Sequence, residues 1–202
     1  MPEIPTPSMH SAPSSAPSSA TSSATSPTTP PLGTLADPRA ALAGALESLA
    51  TLAAKADERV YASGLAFGFH SPLGAHVRHC IDHVDALLNG IASGEIQYDR
   101  RERGTAIERE RASGLAAAAE RAELVRSIGD AMLDSTIVVE VLVAPGAPTM
   151  RFDSTVAREV VYVFHHTVHH AALMSAQATN MAIQPDPAMG RAPATLANDA
   201  AR

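Results

Sequence analysis

Residues 156–174 read VAREVVYVFHHTVHHAALM. Val156, Val160, Val163, Thr167 and Met174 recur at the spacing of one helical face, so the stretch predicts a helix with a single inward stripe. At about 100° per residue, His166 and His170 lie on or beside that stripe, one turn apart. His165 and His169 form an equally spaced pair on a face rotated away. Two inward imidazoles four residues apart can aim both rings at one ion, as facing helices do in bundle metal sites. This helix is therefore read both as a bundle wall and as half of a metal centre.

The neighbouring sequence supplies the other walls. Thr136 to Ala144 (TIVVEVLVA) is rich in β-branched residues, Pro145 to Pro148 makes a turn, and Thr149 to Asp153 follows. This predicts a short β-hairpin inserted before the last helix, which then runs from about Ser154 to about Ala178. Asp37-Pro38 is an N-cap with proline at the first helical position, and Leu42, Leu46, Leu49, Ala53, Ala56 and Val60 form an apolar stripe behind it. Ser71-Pro72 repeats the signal for a second helix to about Ile91, closed by Gly90 and Gly94. Thr105 with Glu108 has capping-box spacing and opens a third helix, rich in Ala, to about Met132. The expected class is all-α: a four-helix bundle with one inserted hairpin.

A third ligand has to come from another helix, and the second offers His76, His79 and His83. His76 and His83 fall inside the apolar arc of Val77, Cys80, Val84 and Leu87, with His79 at its rim. A single inward histidine is more often a hydrogen-bonded core residue than a ligand. Two clusters on different helices differ, because each unsatisfied buried imidazole costs about 1–3 kcal/mol, which a shared ion relieves. His165 and His169 are read as solvated or as supporting a ligand from behind, His70 as a loop residue, and Cys80 as a small buried hydrophobe in preference to a soft ligand.

Composition narrows the function classes. The chain has 202 residues, 46% hydrophobic, with a formal charge of −6, 3% aromatics and no Trp. That combination argues against a base-stacking or phosphate-tracking nucleic-acid surface and against attraction to anionic lipid. One cysteine forbids an internal disulfide framework and fits a reducing compartment. Residues 1–33, almost wholly Ser, Thr, Pro and Ala, read as a disordered leader without the basic start and apolar run of a secretory signal. No uncharged apolar run approaches the roughly 20 residues of a membrane helix. The expected organisation is leader 1–33, helical bundle 34–184 and tail 185–202, with a cytoplasmic location.

Three stretches together carry a family resemblance: Leu73-Gly74-Ala75-His76-Val77-Arg78-His79-Cys80-Ile81-Asp82-His83, Tyr98-Asp99-Arg100-Arg101-Glu102-Arg103, and His166-Thr167-Val168-His169-His170. From about Leu35 to Leu196 the chain resembles the DinB (DinB/YfiT-like) family of four-helix-bundle metalloproteins. That resemblance implies one histidine in the second helix and a His-x-x-x-His pair in the last, holding a divalent metal. On the matching positions these are His79, His166 and His170. The Pro72-x-x-x-His76-x-x-His79 spacing also resembles the DinB-like domain of ergothioneine-synthesising enzymes, where the later histidine is the ligand. The resemblance thus favours His79 over the wheel's preference, and whether His83, one turn away, joins as a fourth ligand stays open. The implied cofactor is Zn, Ni or Fe, since imidazole ligation suits all three.

Three neutral imidazoles leave coordination positions open, which suits activation of a bound water or thiol. The family includes thiol transferases, so the resemblance implies a metal-dependent enzyme acting with a low-molecular-weight thiol. A metal-dependent hydrolase and a non-catalytic metal-binding or sensing bundle stay open beside it. Asp82 and Tyr162 are candidates for orienting a ligand imidazole, with surface or packing roles as the alternative. The run Tyr98 to Arg103 is either a mouth for an anionic substrate, with Arg101 or Arg103 as the contact, or a solvated loop closed by its own ion pairs. The expected partners are a small-molecule substrate and, as self-association, a homodimer.

Overall fold

A computed structural model describes residues 37–63, 68–100 and 103–202. The predicted leader (1–33), Arg101 and Glu102 lie outside the described residues. Asp37 caps α1 (Pro38–Ala54), its side chain accepting from the Arg39 N–H at 2.9 Å, and Leu42, Leu46 and Leu49 are buried along one face. The stripe was expected to continue as one helix to Val60. Instead the chain breaks at Lys55–Asp57 and restarts as α2 (Glu58–Ser63), because Asp57 Oδ1 takes the Val60 N–H at 2.7 Å as a second N-cap.

α3 (Leu73–Ser93) ends at Gly94, whose φ of +85° makes the left-handed cap that only glycine adopts without cost. Gly90, expected to help close this helix, lies inside it. A Cβ there would stand 2.3 Å from Ile96 Cγ1, so its role is to admit the strand that folds back, β1 (Glu95–Gln97).

The single third helix expected from Thr105 to Met132 is three pieces: α4 (Ala106–Arg109), α5 (Arg111–Arg126) and α6 (Asp130–Leu133). The first break is at Glu110, which is extended at φ −118°, ψ 110°. Tertiary contacts hold α4 apart from α5. Tyr61 donates its hydroxyl to the Ile107 carbonyl at 2.6 Å, and Arg78 Nε pairs with Glu108 Oε2 at 2.8 Å. The expected capping box is not what starts α4: the Thr105 side chain makes no cap, and Glu108 takes the N–H of Gly104, one residue before the cap, at 3.1 Å.

The hairpin is present as β2 (Thr136–Val141) and β3 (Met150–Thr155), antiparallel with Val139 opposite Phe152. β1 adds parallel to β2, giving the order β1-β2-β3. Three residues are too few for an alternation signal, which is why β1 was not expected. Ile137 and Val139 face the core. β3 runs directly into α7 (Val156–Asn180), capped by Thr155. Past α7, the expected tail holds a further helix, α8 (Pro193–Ala200), started by proline at its first turn.

α1 packs on α5 and α7, and α3 packs on the same two, so the four long helices close a ring in the order α1-α5-α3-α7. Valines and leucines of α1, α3 and α7 fill it, with the small Ala117, Ala118 and Ala122 of α5 letting that helix come close. The architecture is the expected helical bundle with a small sheet. Among the described residues no helix is long and apolar enough to cross a membrane.

Candidate metal centre

The α3–α7 seam gathers five histidines. His76, His79 and His83 climb one side of α3, and His166 and His170 face them from α7. The rings of His79, His166 and His170 are mutually 4.5–4.8 Å apart, centre to centre. His79 Nε2 and His166 Nε2 stand 2.9 Å apart. The rings of the three residues that the family resemblance selects therefore lie side by side, but the ligand atoms that gather within 4.8 Å of one another among the described residues are those of His79, His83 and His166, without His170. His165 and His169 are exposed, and His70 is exposed outside any helix, as expected from their positions.

His83 belongs to the same cluster. It is 5% exposed, and its ligand atom lies with those of His79 and His166 in a group spanning 4.8 Å. Its Nδ1–H donates to the His79 carbonyl at 3.0 Å, which leaves the Nε2 lone pair to serve as donor to an ion. Its ring also stacks on His166 at 3.9 Å and 19°. His76 meets His170 on the opposite flank, Nδ1 to Nδ1 at 3.0 Å.

Burial keeps two of these rings, His170 and His76, neutral. Burial first, and then the charges of His166, His76, His169 and His83, push His170 down to about 3. Burial lowers His76 as well, helped by His169. Neutral imidazole is the ligand form, so the seam is poised to bind a cation at ordinary pH.

Glu159, which carried no expectation from the sequence, and Tyr98 back the cluster. Glu159 is 0% exposed, seven residues before His166 on the same α7 face. It accepts from the Tyr98 hydroxyl at 2.8 Å, from Ser154 at 2.6 Å and from Arg158 Nη1 at 2.6 Å. Tyr98 in turn lies flat against His83, at 5.3 Å and 18°, and burial with the Glu159 charge raises its phenol well above the usual value. The i, i+7 spacing of Glu159 and His166 was the available signal. Tyr98, expected in a mouth or solvated loop, is buried packing instead.

The remaining candidates fall as follows. Asp82 is engaged by Arg78, which also holds Glu108, so it ties α3 to α4. Tyr162 is half-exposed, 6.2 Å from His166 and 5.1 Å from Tyr98, under the Arg158 guanidinium. Asp99 accepts the Leu142 N–H at 2.6 Å and Arg103 is exposed. Cys80 is fully buried beside Thr167, and burial pushes its thiol far up, so it is not the thiolate of any reaction here.

The donor set fits a divalent ion. Two nitrogens bound to one tetrahedral ion at 2.0–2.1 Å stand about 3.3 Å apart, close to the separation already present. Nitrogens 2.9 Å apart need something between them, either one shared proton or one shared cation. All-imidazole donors select borderline first-row ions over Mg or Ca.

Neither the curated proteins nor the solved structures compared with this chain give a match. A family model described as DinB superfamily matches residues 34–174, a span that includes all five clustered histidines. With a helical bundle, a histidine seam between α3 and α7 and a family match over most of its length, the chain belongs to the DinB superfamily.

Proposed function

We propose that this protein is a metal-dependent enzyme that holds one divalent ion, Zn, Ni or Fe, on His79, His166 and His170. The observation that carries the reading is the mutual approach of these three rings, from two helices, within 4.8 Å. When bound, such an ion lends Lewis acidity that favours loss of a proton from a small thiol or a water at neutral pH.

The chain's own residues define the rest. Three histidine nitrogens leave a tetrahedral set one short, so an external group can enter. The buried, protonated Cys80 does not compete for that position, which leaves the nucleophile to come from solution. Arg103, or Arg101 beside it in sequence, supplies positive charge for an anionic co-substrate. A low-molecular-weight thiol adding to an electrophile is the reaction class that this arrangement and the family resemblance favour together. Cytoplasmic residence agrees with a single reduced cysteine.

A second reading has its own observation. His83, with its tautomer fixed by the His79 carbonyl, can close the set as a fourth ligand. A closed site would store, sense or be stabilised by the ion rather than act on a substrate.

The experiment is a screen of metal-loaded protein with bacillithiol, mycothiol, glutathione and cysteine against monochlorobimane, following conjugate formation. Enzymatic function predicts a metal-dependent rate with at least one thiol, retained in Cys80→Ser and lost in His79→Ala. No rate above the free-thiol background with any of them leaves the binding or sensing reading in its place.

A further inference from the structure

We infer that β3 pairs with β3 of a second copy of this chain, joining two three-stranded sheets across a two-fold axis centred on Phe152. Among the described residues β3 is an outer strand. Its sequence, Met-Arg-Phe-Asp-Ser-Thr, carries no proline or lysine, two of the devices that usually blunt an edge. Every one of its residues except Ser154 is exposed, Met150 at 53% and Phe152 at 41%. Large apolar side chains on an open edge strand are the combination that recruits another strand.

The hydrogen-bond phase of the sheet says which groups are available. The Val156 N–H donates to the Ser135 carbonyl at 3.1 Å, one step beyond the Thr136–Thr155 pair. In an antiparallel ladder bonded and non-bonded pairs alternate, so Ser154, Phe152 and Met150 spend their backbone groups on β2. The N–H and C=O groups of Arg151, Asp153 and Thr155 point outward.

Charge then selects the register. A two-fold centred on residue 151 sets Arg opposite Arg, and one centred on 153 sets Asp opposite Asp; like charges directly opposite destabilise a sheet. Centring on Phe152 sets Arg151 opposite Asp153 of the other copy, twice, through the outward-pointing backbone groups. It also extends a polar row already present, Gln97 to Glu140 to Arg151, by one acid. On the opposite face the two Phe152 rings meet at the axis, beside Met150 of each copy.

The test uses the full chain. Sedimentation equilibrium should show a dimer, and Asp153→Arg should weaken it about tenfold, since two attractive cross-strand pairs become repulsive. Phe152→Cys reads the register independently. Residues facing each other at a non-hydrogen-bonded pair have Cα atoms about 4.5 Å apart, within disulfide range. Mild oxidation should link Phe152→Cys into covalent dimers, whereas Thr155→Cys, placed far from its own copy, and wild type with its buried Cys80 should stay unlinked. A monomer at every concentration would overturn the inference. So would a dimer that Phe152→Cys fails to cross-link, or one that Asp153→Arg leaves equally tight.

Discussion

Replacing Glu159 with alanine should destabilise the fold strongly. The carboxylate is wholly buried and accepts three hydrogen bonds, at 2.8 Å from Tyr98 and 2.6 Å each from Ser154 and Arg158. Arg158 is 58% exposed and recovers its solvation when the acid is removed, so its share is small. The Tyr98 and Ser154 hydroxyls have less access to water, and each donor left unpaired costs about 1–3 kcal/mol. With the space left by the missing side chain, the total comes to about 3–5 kcal/mol. For a domain of this size that lowers Tm by about 10 °C, readable by differential scanning calorimetry. Glu159→Gln keeps the shape and one acceptor, so it should lose about a third of that. Tyr98→Phe combined with Glu159→Gln should fall short of the sum of the singles by about 1 kcal/mol, because both remove one bond. A Glu159→Ala protein melting within 2 °C of wild type would refute this reasoning, as would strict additivity of the pair.

Three further outcomes follow from the seam. His76→Phe removes the nitrogen that meets His170 Nδ1 and should weaken metal affinity about 10- to 100-fold, with His76→Gln recovering part of it; equal affinities by competitive chelator titration would contradict a positioning role. In metal-free protein, His170 resists protonation down to about 3 whereas an unfolded histidine takes a proton near 6.5, so its neutral burial contributes fully above pH 6.5 and is lost as pH falls toward 3; Tm should therefore decline over that window, and less steeply in His170→Ala. Cys80 is buried and held as thiol, so Ellman's reagent should react with it only upon unfolding, and rapid labelling of native protein would count against the packing described.

What could be read from the sequence was whatever repeats along a helix. Val156, Val160, Val163 and Met174 repeat at helical spacing, and they placed His166 and His170 inward while leaving His165 and His169 outside. The same logic put His83 inside and His79 at the rim, as their burial shows, but it could not show that a ring at the rim still meets His166 and His170 across the seam. Breaks were less legible because their causes are tertiary: α4 stops short of α5 where Tyr61 and Arg78 grip Ile107 and Glu108. The first helix was different, since Asp57 is a local cap that apolar periodicity alone obscured. Glu159 was hidden for a chemical reason. A charged residue on an inward stripe reads as a solvated position until its partners are known, and those partners, Tyr98 and Ser154, lie on other segments.

Metal content and coordination number of the purified protein, by elemental analysis with X-ray absorption, bear most directly on the site. Ligation by His79, His166 and His170 predicts one ion per chain with an imidazole first shell, lost in His166→Ala and in His170→Ala and kept in the exposed-face control His165→Ala. Full stoichiometry in both inward variants would contradict it.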